Sequence, residues 1–338
     1  MAQKKLLKLH DPSIYCYTIC GMIFAIAEEK DFPWLFSNYT QIMYHRDWQM
    51  FIFEDQYKGI DRYPFIEVDS VKMDDNLGVP FCDAVMSCLD RDYYVYLFLD
   101  RKVLFPETAK RHLAHTTLIS GYDLEKKVFY LSDNYDDGRF VTLEIDMDTV
   151  REAFSSAWTA SVGNVEDNDN SAAFDYLRYV TLCKYHEHVS TDFDKREFCR
   201  QLRALLNSES IFLFSTNASK YYGLASYDLL IDALRGSGEI ALKRKNFHLL
   251  YEHKLLMKLR IAYLTEHGIL PADQGYAEKA AGISDAFLSI RGLYMKSRLT
   301  EGAVREKHVE KLCKKISDAR EAERAFYTAV LNELEASD

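Results

Sequence analysis

Hydrophobic and polar positions follow different rhythms in the two halves of the chain. Near the start, CYTICGMIFAIAEEKD has helical spacing and ends in acidic residues, with Pro12 and Ser13 just ahead of it where helix-start residues are expected. PFCDAVMSCLDRD (80–92), with apolar positions at 81, 85 and 89, predicts a second, short helix. DYYVYLFLD (92–100) is aromatic and β-branched and predicts a strand. HTTLISGYD (115–123) and KVFYLSDN (127–134) predict two more strands, joined through Gly121-Tyr122-Asp123 and a charged turn. RFVTLEID (139–146) continues the series after Asp136-Asp137-Gly138. A helix followed by consecutive strands describes an α+β unit with an antiparallel sheet.

GNVEDNDNS (163–171) is acidic, Asn-rich and without apolar periodicity, which marks a linker. From residue 172 the pattern is helical almost throughout: AFDYLRYVTLCKYHEHV, DKREFCRQLRALL, ASYDLLIDALR, NFHLLYEHKLLMKLRIAYLTEHG and VREKHVEKLCKKISDAREAERAFYTAVLNELEA. Gly268 and Pro271 close the fourth of these in the usual way. The expected architecture is an α+β domain with an antiparallel sheet over residues 1–164 and an all-α helical bundle domain over 165–338.

Composition narrows the function classes. A length of 338 residues suits two domains, and 48% hydrophobic with 28% charged residues describes a globular chain. A net charge of -10 disfavours nucleic acid as a partner and accommodates cationic substrates more easily than anionic ones. The start MAQKKLLKLHD has no apolar signal core, and no stretch has the apolar length that spans a bilayer, so the expectation is a cytoplasmic protein with no membrane partner. Seven Cys (16, 20, 82, 88, 183, 199, 313), odd in number and scattered, are expected to be reduced.

One constellation carries chemistry. Cys16 lies after a polar turn at the start of a predicted helix, where backbone N–H groups and the helix dipole favour a thiolate. Cys20 is one turn further along on the same face and is the alternative nucleophile. His115 opens a strand and Asp133 ends the next, so antiparallel pairing brings a carboxylate beside an imidazole that is 18 positions away in sequence. The imidazole then takes the thiol proton and the carboxylate fixes its tautomer. Asn134 is a second choice of orienter, and Asp133-Asn134 also fits plain turn chemistry. His112 stands three residues before His115 as a supporting donor, or with it as half of a metal pair that no further ligand completes. Cys183, His186 and His188 have ligand side chains but read as a solvated helix face.

The stretch VYLFLDRKVLFPETAKRHLAHTTLISGYDLEKKVFYLSDN (95–134) resembles a pattern of papain-like bacterial proteins: an Asp-bearing strand, a loop with Pro, a His opening a strand that ends in Gly-Tyr-Asp, and a partner strand ending in Asp-Asn. It is similar to the bacteriocin leader-processing peptidases and, more closely, to the BtrH-like acyltransferases of butirosin biosynthesis. In those proteins too a short extended segment leads to a Cys that starts a helix, as in SIYCYTICGMIF. The resemblance implies a papain-like fold over roughly residues 8–150, with Cys16 as nucleophile, His115 as base and Asp133 as orienter. The papain-type Gln ahead of the Cys is missing; His10 stands near its place as a candidate oxyanion donor, beside the Cys16 backbone N–H. The helical half resembles the C-terminal region of the same group through YYGLASYDLLIDALR (221–235) and a later helix with Tyr251-Glu252-His253.

The resemblance implies an acyltransferase of natural-product biosynthesis. Cys16 takes an acyl group from the phosphopantetheine thioester of an acyl or peptidyl carrier protein, and an amine acceptor (a polyamine or amino sugar suits the acidic chain) resolves it into an amide. Basic segments such as 242–245 or 305–315 would meet the carrier. No resident cofactor or metal is expected. A cysteine peptidase or amidase, and a catalytically degenerate papain-like binding protein, are the alternatives. Whether the helical half docks the carrier, builds the acceptor pocket or forms a homodimer stays open.

Overall fold

A computed structural model describes residues 2–73, 78–135, 138–163, 176–187, 191–212, 220–236 and 242–336. The linker expected at 163–171 falls, after Gly163, outside them, as does His188. In chain order the elements begin β1 (Lys4–Leu6), α1 (Thr18–Ile26), α2 (Phe32–Ser37), β2 (Ile42–His45), β3 (Met50–Phe53), β4 (Ile66–Lys72) and α3 (Phe81–Asp90). There follow β5 (Tyr94–Asp100), α4 (Arg101–Leu104), β6 (Ala114–Asp123), β7 (Val128–Asn134), β8 (Phe140–Asp146), α5 (Met147–Gly163) and β9 (Tyr179–Tyr185). The chain closes with α6 (Lys195–Asn207), β10 (Lys220–Tyr222), α7 (Ser226–Leu234), α8 (Arg244–Glu266), α9 (Tyr276–Ser297) and α10 (Gly302–Ala336). The fold is mixed α/β with antiparallel sheets and a helical C-terminal region. No helix among the described residues is long and apolar enough to cross a membrane.

The chain divides into two units, but not at a single cut near residue 164. Residues 1–29 and 60–190 form one unit; 30–59 and 191–338 form the other. The first is built on a seven-stranded sheet in the order β4-β9-β5-β6-β7-β8, with β1 added to the far end of β6. Every pairing in it is antiparallel. The run AFDYLRYVTLCKYHEHV, expected as a helix, instead supplies β9, which pairs with β4 on one side and β5 on the other. Tyr, Val, Thr and Cys at 179–183 suit a pleated, half-buried surface, and two non-local partners decide the outcome over local periodicity. This puts Cys183, fully buried, inside the sheet, where it is no part of a solvated helix face.

Strand alternation sorts the sheet's two faces. Val95, Leu97 and Leu99 of β5, Ile119 of β6 and Leu131 of β7 pack with Val85 and Leu89 of α3 and Val150 and Ala153 of α5. α1 packs against β6 and β7, and Gly21 lets it come close. A Cβ on Gly21 would stand 2.4 Å from the Phe140 ring of β8. Phe140 pairs with Asn134, on the alternate face from Leu131.

The second unit is not all-α as expected. Beside α2 and the C-terminal helices α6–α10 it holds a three-stranded antiparallel sheet, β10-β2-β3. Its core is polar to an unusual degree. Lys254 of α8 meets Glu323 of α10 at 2.5 Å with both side chains fully buried, and the Tyr227 hydroxyl donates to the same carboxylate at 3.0 Å. The rings of Phe287, Tyr227 and Tyr327 surround the Lys254 ammonium at 4.9, 5.4 and 5.9 Å. His253, fully buried, uses both ring nitrogens: Nε2 lies 2.8 Å from the Thr40 carbonyl and Nδ1 lies 2.6 Å from Lys254 Nζ. A carbonyl on one nitrogen and an ammonium on the other fit a neutral ring, donating through Nε2 and accepting through Nδ1.

Burial, then the neighbouring Lys254, holds His253 well below the usual imidazole range. The unfolded chain binds a proton that the folded one refuses, so this stabilisation is complete above about pH 6.5 and is lost as pH falls below it. We expect melts of the protein to lose roughly 1.4 kcal/mol per pH unit through this group on acidification. His253→Gln, which keeps one donor and one acceptor, is expected to lack that slope. Glu323 titrates in both forms, so the comparison isolates the imidazole; equal slopes in the two proteins would refute a neutral buried ring.

Candidate active site

The β6–β7 hairpin forms as the sequence predicts, with Leu118 opposite Ser132 and Ile119 opposite Leu131. This register brings the end of β7 beside the start of β6. His115 Nδ1 lies 3.0 Å from Asp133 Oδ2. The carboxylate is 1% exposed and the imidazole 26% exposed.

Asp133 is the hub of the site. Its Oδ2 also accepts from Arg101 at 2.7 Å and from Thr117 Oγ1 at 3.4 Å. Its Oδ1 accepts from Thr18 Oγ1 at 2.7 Å and from the Asn134 backbone N–H at 2.6 Å. One oxygen therefore holds the base and the other holds the first residue of α1. The Asn134 side chain donates to the Tyr15 carbonyl at 2.5 Å, not to His115, so it fixes the segment ahead of Cys16 and does not orient the imidazole. Tyr15 and Thr18, the residues flanking Cys16-Tyr17, are thus both tied to the end of β7.

Cys16 does not start the helix. α1 begins at Thr18 with Tyr17 as its extended N-cap residue, which leaves Cys16 one residue ahead of the cap. The thiol is 5% exposed and its Sγ lies 3.9 Å from that of Cys20, which is fully buried. His115 Nδ1 meets Asp133, the Thr116 carbonyl and Arg101. By strand alternation His115, Thr117 and Asp133 share the face of Ile119 and Leu131, where α3 and α5 pack, whereas α1 lies over Asn134 and Phe140. Thiol segment and imidazole meet at one carboxylate, the Thr18 hydroxyl on Asp133 Oδ1 and the His115 ring on Oδ2.

Arg101 is the participant that the sequence reading missed. Beyond Asp133 it donates to the Asn134 carbonyl at 2.6 Å, and its guanidinium lies 5.7 Å from the Tyr135 ring centroid. Burial first, and then the Asp133 charge, push the Tyr135 phenol far up. Asp100, the last residue of β5, caps the one-turn helix α4 through Lys102 N at 2.9 Å, and Arg101 is the first residue of that helix.

His112 and His10 stand elsewhere than expected. His112 Nδ1 meets Asp100 Oδ2 at 2.5 Å, and the same carboxylate takes Ser156 Oγ at 2.6 Å and Leu113 N at 3.1 Å. Burial alone would raise the Asp100 carboxyl, but Ser156, His112 and the backbone donors hold it below the usual range. His112 therefore closes the 101–113 loop and does not support His115. The His10 backbone N–H donates to Ala25 O at 2.8 Å, and its ring meets Glu28 at 3.1 Å. Both contacts lie at the C-terminal end of α1, seven residues or about 10 Å from Thr18. His10 is thereby removed as an oxyanion donor. In the second unit, Glu252 and His253 are buried core groups.

The arrangement can hold an imidazole in one tautomer and keep a thiol-bearing segment anchored to the same carboxylate. Compared with known proteins, the chain matches no family profile and no curated relative.

Proposed function

We propose that the chain is a cysteine-dependent acyltransferase of papain-like type, with Cys16 as nucleophile, His115 as base and Asp133 as orienter. The observation that carries this reading is the division of labour on Asp133, where one oxygen binds the His115 imidazole and the other the Thr18 hydroxyl two residues from Cys16. Acyl transfer through a thioester needs a thiol, a base and a fixed tautomer, and these residues supply all three. It also needs the imidazole to reach the thiol when an acyl donor binds; catalytic hydrogen bonds commonly tighten only in the complex. The donor class we favour is a carrier-protein thioester, the acceptor an amine, and the location cytoplasmic. The oxyanion donor falls to the Cys16 backbone N–H.

A second reading, a papain-like domain that binds without turning over, draws on Arg101. Its guanidinium shares Asp133 Oδ2 with His115 and so competes for the carboxylate that would orient the base.

A thioester and an amine presented together separate these readings. The transferase yields the amide and shows no burst with simple peptide amides. A burst on peptides without amide formation would indicate a peptidase, and neither product would leave the binder.

A further inference from the structure

The structure assigns Cys16 and Cys20 to a second chemistry: we propose that hydrogen peroxide converts them to a reversible intramolecular disulfide. The two Sγ atoms are 3.9 Å apart. A disulfide needs about 2.05 Å, so each sulfur moves by about 1 Å, within the reach of side-chain rotation. The backbone permits it from one side. Cys20 sits in the first turn of α1, whereas Cys16 precedes the extended cap residue Tyr17 (φ -132, ψ 153) and is outside the helical ladder.

The order of events follows from exposure. Cys16 shows 5% of its surface and Cys20 none, so peroxide reaches Cys16 first. The Cys16 sulfur attacks one peroxide oxygen, the O–O bond breaks, and a sulfenic acid and one water result. The Cys20 sulfur then attacks the Cys16 sulfur; the S–S bond forms, the S–O bond breaks, and a second water leaves. Two thiols are oxidised and one peroxide is reduced to two waters. A small thiol such as dithiothreitol reverses the bond by exchange. Bond formation stands apart from the acyltransferase reading; only its consequence, reversible loss of transfer activity, rests on Cys16 being the nucleophile.

Trypsin cuts after Lys8 and Lys30 and releases both residues in one peptide that contains no other Cys. After peroxide treatment of the whole protein, this peptide is expected to lose two hydrogens and to take no alkylating label. Dithiothreitol should restore two labels. In Cys20→Ser or Cys20→Ala the same treatment should leave Cys16 as a sulfenic acid that dimedone captures, with no loss of hydrogens. If the wild-type peptide keeps two alkylatable thiols at a dose that oxidises the half-buried Cys82, the proposal fails. It fails equally if wild type and Cys20→Ser give the same dimedone adduct. Because the readout is mass and label count, a positive result with no acyl transfer would sink the acyltransferase reading alone.

Discussion

Asp133→Asn is expected to lower the rate of acyl transfer by roughly 10⁴-fold, the scale seen when a triad carboxylate becomes an amide. The amide offers His115 a donor or an acceptor without the charge, so neither the tautomer nor the developing imidazolium is held as before. The structural consequence goes further here, because Asp133 serves Arg101, Thr18, Thr117 and the Asn134 N–H as well as His115. Removing its charge strands a guanidinium that is 15% exposed. A cost of about 3 kcal/mol follows, the low end for breaking a buried pair, since Arg101 keeps some solvent. Rate and melting measured together separate the two effects. A His115→Gln variant should lose the rate while leaving the Arg101–Asp133 pair and most of the stability intact. If Asp133→Asn transferred acyl groups within tenfold of wild type, the hub would be structural only.

Lys254→Met is expected to be the most destabilising single change in the second unit. Burial pushes the Lys254 ammonium down and the Glu323 carboxyl up, so each tolerates its position only because the other is there. Removing one partner from a fully buried pair costs about 3–5 kcal/mol, which in a unit of this size lowers the melting temperature by roughly 10 °C. Replacing both, as Lys254→Met with Glu323→Leu, is expected to recover most of that loss, since well-packed apolar residues often match a buried ion pair. Denaturant titrations of the two single variants and the double give the coupling energy directly. Additive losses would show that the pair is not a unit.

Much of the candidate site was legible because it is local. A hairpin of 20 residues has its register written into its alternation, and His115 and Asp133 follow from that register. What was not legible is non-local. β9 depends on β4 and β5, roughly a hundred residues earlier, and its own periodicity fits a helix as well. Residues 30–59 join the second unit through β2, which pairs with Lys220–Tyr222, and no pattern in either segment announces it. Arg101 looks like any charged residue after a strand until the end of β7 is placed beside it. His10 failed as an oxyanion donor for a similar reason: six positions of sequence separation from Cys16 say nothing about which end of α1 the chain has reached.

Asp133 ties the imidazole and the thiol segment to one carboxylate, and catalysis requires the imidazole to take the Cys16 proton when an acyl donor binds. The direct measurement is intact mass followed by peptide mapping after incubation with a small acyl thioester. The account predicts one acyl group on Cys16, retained in Cys20→Ala, absent in Cys16→Ala, and released by an amine. No adduct with any thioester, or an adduct that persists in Cys16→Ala, would contradict it.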